Sequence, residues 1–278
     1  MLPLKERRLM IRYALLMSLT VALQSSQFAI AHDVWLQTNS PLVRTGEIAH
    51  VDLRLGNHGN HHRDFKLAGR IDLDWVTVEH VTPDGARTDI KDTMFTTASA
   101  EKEGYWTTPL VATQPGMNCV VEKLDRVMQH GTSVRGIRTA KTYFLVADSL
   151  DRPDLDNHVH ESSLGLPFEL VLQTCPLSEV VVGQPITVQV LHQGTPISDV
   201  VVSFIPEGAE LQGEFDSEYE FRTNEEGLAT FVPQTANQYL VVAHHTAEDE
   251  KSDEYEFTSY ASTITLHVPR QRTYVQVR

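Results

Sequence analysis

Apolar and polar residues alternate with a period of two at several places along the chain. In residues 47–55, apolar residues at 49, 51, 53 and 55 alternate with polar ones, and residues 186–190 show the same alternation. This period predicts strands with one buried face. Residues 200–205 and 239–243 are apolar almost throughout, which predicts strands buried on both faces. Turn signals separate such segments, among them Pro83-Asp84-Gly85 and Gly194-Thr195-Pro196.

Helical spacing occurs in one short stretch, residues 122–129, where a short helix is an alternative to a strand. Closely spaced strands with Gly and Pro turns predict an all-β chain of two tandem Ig-like antiparallel β-sandwich domains. A polar, proline-containing segment follows the predicted strand at 142–146 and predicts the boundary between them. We therefore expect a signal peptide at 1–31, an N-terminal sandwich at 32–148, a linker at 149–164, a C-terminal sandwich at 165–269 and a tail at 270–278.

The first 31 residues have the pattern of a cleavable leader. Four basic residues precede an apolar run at 13–23, which at eleven residues is too short to span a bilayer, since a span needs about 20. The run is followed by Ala29-Ile30-Ala31, the small-x-small pattern of signal-peptidase cleavage. Cleavage there would make His32 the first residue of a periplasmic or secreted protein that is not inserted in a membrane. The competing interpretation of His32 is a frayed terminus without function.

The charge balance excludes some partners. The full chain has 23 basic and 37 acidic residues; without residues 1–31 it keeps 19 and 36, a net charge of −17. Such a charge disfavours nucleic acids and anionic membrane surfaces, and it raises the local concentration of cations. The two cysteines, Cys119 and Cys175, leave two alternatives open, a disulfide or two buried thiols.

A mature N-terminal histidine carries two metal-binding groups on one residue. The α-amino nitrogen and the imidazole of His32 form a chelate, and one further imidazole gives a three-nitrogen set that suits Cu(II) or Ni(II). The loop GNHGNHHRDF holds three further candidates, His58, His61 and His62, although an exposed loop without metal is the ordinary interpretation. His244 and His245 end a predicted strand and point to opposite faces, so only one of them can serve a given site.

Several motifs together resemble the DUF4198 family of exported bacterial proteins with Ig-like sandwiches. The mature start HDVWLQ is similar to the family's start, and residues 164–170 are similar to its LGLPLEL segment. Residues 239–245 are similar to its WLVKAVH strand, which aligns His245 with a histidine of the family. Further similarities lie at 138–143, 194–197, 222–227 and 259–265, so the resemblance covers nearly all of the mature chain.

The resemblance implies a role for three residues. It supports His32 and His245 as metal ligands and Glu169 as a third ligand or as a partner of the ligands. Some family members are linked to nickel or cobalt uptake, which implies Ni²⁺ or Co²⁺ as the ion and a membrane metal transporter as the partner. Cu²⁺ is the further candidate, because the nitrogen ligand set suits it. The segment 116–136, which contains Cys119, departs from the family pattern.

Three functions compete at this point. The leading one is a non-enzymatic, exported metal-binding protein, because no motif for hydrolysis or phosphate binding occurs in the sequence. The second is a structural or protein-interaction module of Ig-like domains that needs no metal. The third is an N-terminal-histidine copper oxidase, for which Tyr105 and Trp106 are aromatic candidates, although both residues also suit the core of a strand.

Overall fold

Strands dominate the computed structural model, which describes residues 32–56, 71–98, 104–151, 153–154 and 159–272, with His130 described by its backbone only. Three short 3-10 helices occur in these ranges, Leu73–Trp75, Lys91–Thr93 and Val159–Glu161. The strands in chain order are β1 (Asp33–Thr38), β2 (Leu42–Arg44), β3 (Ile48–Gly56), β4 (Val76–Val81), β5 (Arg87–Asp89), β6 (Phe95–Thr96), β7 (Trp106–Val111), β8 (Gly116–His130), β9 (Thr132–Ala147), β10 (Phe168–Leu172), β11 (Ile186–His192), β12 (Thr195–Pro196), β13 (Val201–Pro206), β14 (Glu220–Arg222), β15 (Leu228–Phe231), β16 (Asn237–Ala247) and β17 (Phe257–Val268). No helix in the described ranges is long and apolar enough to cross a membrane.

The strands form three sheets. The first has the order β1-β3-β7-β6, and the second has the order β10-β11-β12 with β15 also paired to β11. The third has the order β14-β13-β16-β17-β9-β8-β4-β5, with β2 also paired to β9. Pairing is antiparallel except where β9 meets β17 and β2. The all-β class and the antiparallel architecture predicted from the sequence are confirmed.

The period-two pattern has its expected physical meaning. Ala49, Val51 and Leu53 of β3 are completely buried, whereas the residues between them are partly or fully exposed. Strands β11 and β16 include the segments predicted at 186–190 and 239–243. Strand β13 begins one residue after the start of the segment predicted at 200–205. Burial of alternating apolar side chains therefore fixes which face of each strand meets the core.

The short helix considered at residues 122–129 is wrong, because these residues belong to β8. This strand pairs with β9 along its whole length and with β4 over residues 119–124. Hydrogen bonds to neighbours on both sides outweigh a helical spacing that covers only about two turns. The hairpin of β8 and β9 places the segment 116–136, which departs from the family pattern, in the third sheet.

The third sheet has a hydrophobic core on each of its faces. On β9, Phe144 shares a core with Val51 of the first sheet, whereas the next residue, Leu145, shares the other core with Leu170 of the second sheet. Because successive side chains point to opposite faces, the first and second sheets cover the two sides of the third. The third sheet is thus a central layer.

Strands from both halves of the chain build this central layer. Residues 134–142 of β9 pair in parallel with residues 257–265 of β17. The segments 32–148 and 165–269 therefore share one sheet and are joined by a ladder of backbone hydrogen bonds. The predicted linker region lies between β9 and β10.

The two cysteines are free and buried. Cys119 of β8 and Cys175 after β10 belong to the same core. Burial raises the pKa of the Cys119 thiol to about 12. A thiol that ionises so reluctantly is a poor nucleophile and a poor metal ligand at neutral pH.

Candidate metal centre

The predicted mature N-terminus lies beside His244. His32 is exposed and stands directly before β1, whose first residue is Asp33. The carboxylate oxygen Oδ1 of Asp33 is 2.8 Å from Nε2 of His244 on β16. The histidine that the structure brings to the N-terminus is therefore His244, whereas the sequence resemblance favoured His245.

Hydroxyl groups of the central sheet hold β1 in this place. Thr263 Oγ1 donates a hydrogen bond to the carbonyl of Val34 at 2.8 Å, and Thr265 Oγ1 donates to the carbonyl of Leu36 at 2.6 Å. Both threonines are buried on β17. Two threonine hydroxyls thus fix the backbone of β1 just after Asp33.

An apolar cluster next to His244 adds to this docking. Trp35 is 2 % exposed and packs with Leu240 and Val242 of β16. Leu240, Val242 and His244 point to one face of the strand, because side chains two residues apart share a face. Leu240 and Val242 precede His244 on this face of β16, and Asp33 precedes Trp35 by two residues on β1. Burial of Trp35 against Leu240 and Val242 therefore brings Asp33 beside His244.

Asp33 controls the charge of His244. Burial lowers the pKa of His244, but the charge and the hydrogen bond of the Asp33 carboxylate outweigh burial and raise it above its ordinary value. In the neutral imidazole that donates from Nε2 to Asp33, Nδ1 keeps a lone pair. The side chain of His244 is 48 % exposed. A metal ion can therefore reach this imidazole from solvent.

An arginine and a second carboxyl group lie beneath this pair. The charge of Arg138 on β9 interacts with both Asp33 and Glu122, and its Nη1 donates to the carbonyl of Ser259 at 2.7 Å. Glu122 of β8 is completely buried, and neither of its carboxyl oxygens has a hydrogen-bond partner within the described residues. Burial raises its pKa to about 8, against the lowering effect of Arg138. At pH 7 Glu122 is mostly protonated.

His245 faces the opposite side of the central sheet. Its ring stacks on Phe168, with ring centroids 5.9 Å apart, and on Tyr260, with centroids 6.1 Å apart. The ring of His192 lies 5.2 Å away from it, centroid to centroid. Burial, and secondly the neighbouring His192, lower the pKa of His245. The alternation of side chains along β16 thus separates His245 from His244 and from the N-terminus.

Glu169 is a structural residue. Its carboxylate accepts hydrogen bonds from Lys141 Nζ at 2.5 Å, from Ser163 Oγ at 2.7 Å and from the backbone N–H groups of Leu164 and Leu166. It is completely buried, and burial raises its pKa less than Lys141 and these hydrogen bonds lower it. A carboxylate with its acceptor positions filled in this way does not favour the first alternative that the resemblance implied, a third metal ligand.

The remaining predicted ligands, His58, His61 and His62, lie outside the described residues, as does the predicted signal peptide. Within the described ranges, no three His, Cys, Asp or Glu side chains already converge as a metal-binding group. A site at the N-terminus would therefore depend on the amine and imidazole of His32, which only a processed chain presents together.

The sequence did not indicate the partners that the structure adds. Asp33 and Glu122 gave no signal beyond their charge. His192 had the appearance of an ordinary strand residue, and its only distinguishing feature is its place at the end of an alternating strand, before the turn at Gln193-Gly194. Each of these residues is recognised only through a contact with a distant part of the chain.

The DUF4198 model, described as "Domain of unknown function", matches residues 29–247. The chain belongs to the DUF4198 family. This match confirms the resemblance inferred from the sequence, and it includes His32, His192, His244 and His245 of this DUF4198 protein. A search of curated proteins finds no match.

A search of solved structures finds matches at low similarity scores. The D0-D1 domain of intimin is 14 % identical, with 84 % of this chain and 97 % of that chain covered and a TM-score of 0.22. A DUF4785 family protein from Legionella pneumophila is 10 % identical, with 75 % and 50 % covered and a TM-score of 0.28, so this chain spans about half its length. The fibronectin(III)-like modules of Clostridium thermocellum CbhA are 11 % identical, with 87 % and 99 % covered and a TM-score of 0.21. At these scores the likenesses carry no argument about the function of the DUF4198 chain.

Proposed function

We propose that the protein is an exported, non-enzymatic transition-metal-binding protein whose ion is held at the mature N-terminus by His32 and His244. The observation that carries this proposal is the 2.8 Å contact between Asp33 and His244. Because Asp33 follows His32 directly, a terminal amine and two imidazoles come from one small region once the chain is cut after Ala31.

The contact also gives His244 the arrangement of a metal-binding histidine. Such histidines commonly donate their second ring N–H to a carboxylate, which fixes the tautomer and the ring orientation. Asp33 takes this part for Nε2, so that Nδ1 of His244 is the ligand atom. The amine and the imidazole of His32 complete a three-nitrogen set, which suits Cu²⁺ and Ni²⁺ better than Mg²⁺ or Ca²⁺.

The role in the cell follows from export and charge. A net charge of −17 on the mature chain attracts cations towards the site. An exported binder of nickel, cobalt or copper serves uptake when it passes its ion to a membrane metal transporter, which is the proposed partner.

Calorimetry with Cu²⁺ and Ni²⁺ tests the site. Mature protein that begins at His32 should bind one ion at the N-terminal site, counted as the ion that His32→Ala loses. His32→Ala should weaken binding at this site about 100-fold, because it removes one imidazole of the chelate, and His244→Ala should have a comparable effect.

Two histidine variants serve as controls. His267→Ala removes an exposed imidazole elsewhere on β17, and His245→Ala removes the histidine on the other face; both should leave N-terminal binding unchanged. Equal affinity of the His32→Ala and native forms would contradict the proposal. An absence of binding in the native form would favour the structural or interaction module.

A further inference from the structure

A second group of metal-ligating side chains lies on the other face of the central sheet. His192 ends β11, His245 lies on β16, and Glu250 lies in the turn between β16 and β17. Nε2 of His192 is 3.3 Å from Oε1 of Glu250, and the rings of His192 and His245 are 5.2 Å apart between centroids. None of these three residues takes part in the N-terminal site.

The two distances match the dimensions of a shared metal ion. A tetrahedral ion bound at about 2.0–2.1 Å holds neighbouring ligand atoms about 3.4 Å apart and the centroids of two imidazole ligands about 5 Å apart. Hydrogen bonding does not explain the short approach of His192 to Glu250, because the buried Nε2 of His192 makes no hydrogen bond within the described residues.

The carboxylate is held by neighbours that do not compete for the ion. Tyr260 donates its hydroxyl to Oε2 of Glu250 at 2.5 Å, and Gln193 Nε2 donates to Oε1 at 3.2 Å. Partners of this kind orient a ligating carboxylate and are a regular part of metal sites.

Solvent reaches the group on the side of Glu250, the one of the three proposed ligands that lines a cleft. Gln193, Glu250 and Tyr260 line a cleft of about 700 Å³, which also contains Arg135 and Lys251. An ion bound between the histidines and Glu250 would therefore have three protein ligands and an open fourth position, the composition of a His₂Glu zinc centre.

We propose that His192, His245 and Glu250 form a second metal site, which binds one Zn²⁺ and leaves a fourth position open towards the cleft. The ring of His245 has to turn towards the other two ligands, because the three groups do not yet converge on one point. The site is independent of cleavage after Ala31 and of the function proposed above.

The His32→Ala variant provides the test, because it lacks the imidazole of the N-terminal chelate whether or not that chelate binds metal. Calorimetry with Zn²⁺ should give one ion per chain, and Co²⁺ should produce the intense visible absorption of a tetrahedral complex. Both His192→Ala and Glu250→Gln should weaken Zn²⁺ binding about 100-fold, and both should abolish the Co²⁺ bands.

A control variant and a stability measurement distinguish loss of the metal site from loss of the fold. His267→Ala is the matched control and should bind Zn²⁺ with wild-type affinity. Glu250→Gln changes a partly exposed residue of a turn, so its unfolding midpoint without metal should remain that of the parent protein even if His192→Ala is destabilised. A Zn²⁺ affinity that Glu250→Gln leaves unchanged, or an octahedral Co²⁺ spectrum in the parent protein, would overturn the proposal.

Discussion

The carboxylate of Asp33 and the imidazole of His244 are in contact although 211 positions separate them in the sequence. The contact links the first strand of the described chain to the penultimate one across the central sheet. It also ties the charge of His244 to a residue next to the proposed cleavage site, with consequences that depend on pH.

Asp33→Asn should lower the pKa of His244, because the substitution removes the carboxylate that holds it above its ordinary value. Proton titration of His244 by NMR in the two proteins measures this difference. In the parent protein the Asp33–His244 pair should stabilise the fold by about 0.5 kcal/mol at pH 5, since the imidazole is half exposed. That contribution should disappear as pH rises through the folded pKa of His244. Equal titration curves would contradict the assigned contact.

Glu122→Gln should stabilise the protein at alkaline pH. The folded pKa of Glu122, about 8, lies above its ordinary value, so the folded state holds a proton that the unfolded state has released. Stability of the parent should therefore fall as pH rises from about 4.5 to about 8, by up to about 5 kcal/mol. Urea unfolding at pH 5 and pH 9 measures the loss, which should be smaller in Glu122→Gln. Glu254→Gln, at an exposed position, serves as the control.

Lys141→Met should destabilise the fold by about 3–5 kcal/mol, because it leaves the buried carboxylate of Glu169 without its ion-pair partner. The double variant Lys141→Met with Glu169→Gln should regain part of this loss, since the remaining group is neutral and can still accept hydrogen bonds. Chemical denaturation of the parent, of Lys141→Met, of Glu169→Gln and of the double variant gives the coupling energy. A double variant that is less stable than the single one would contradict the ion-pair assignment.

The ion pair also predicts an acid dependence. Because the folded pKa of Glu169 is lowered, its contribution should be present above the unfolded pKa of about 4.3 and lost as pH falls through the folded value. Glu169→Gln should therefore flatten the acid side of the stability curve between pH 5 and pH 2. An acid limb with the same slope in both proteins would show that other carboxyl groups cause it.

Cys119 and Cys175 should resist alkylation in the native protein, because both thiols are buried and burial keeps that of Cys119 protonated. Intact mass after iodoacetamide treatment should show no added group in buffer and two added groups in denaturant without reductant. Addition of only one group, or of none, in denaturant would contradict two free thiols.

The alternation of apolar residues was sufficient to predict the strands. It does not indicate which strands pair or pack together. Alternation at residues 47–55 predicts β3 correctly because burial on one face leaves a period of two in the sequence. It also places His244 and His245 on opposite faces. It does not say which of these faces meets the N-terminus, because this depends on how β1 docks on a strand 211 positions away.

The same limit applies to the central sheet and to the second site. Nothing in residues 134–142 indicates that they pair in parallel with residues 257–265, since strands with similar apolar patterns are interchangeable at the level of sequence. His192 and Glu250 become neighbours only through the packing of β11 against the β16–β17 turn. Residues 122–129 mislead for a related reason: local spacing is weak evidence where two neighbouring strands supply the hydrogen bonds.

The parallel pairing of β9 with β17 also dictates an order of events in folding. The Oγ atoms of Thr139 and Ser262 form a hydrogen bond at 2.9 Å although 123 positions separate them, so the middle of the central sheet is completed only when two distant segments meet. Until they meet, this part of β9 presents an open edge, and closure of so long a loop is slow compared with local hairpin formation. A chain built in this way keeps an unpaired strand edge until a late step of its folding, and such an edge is a site at which another chain can pair.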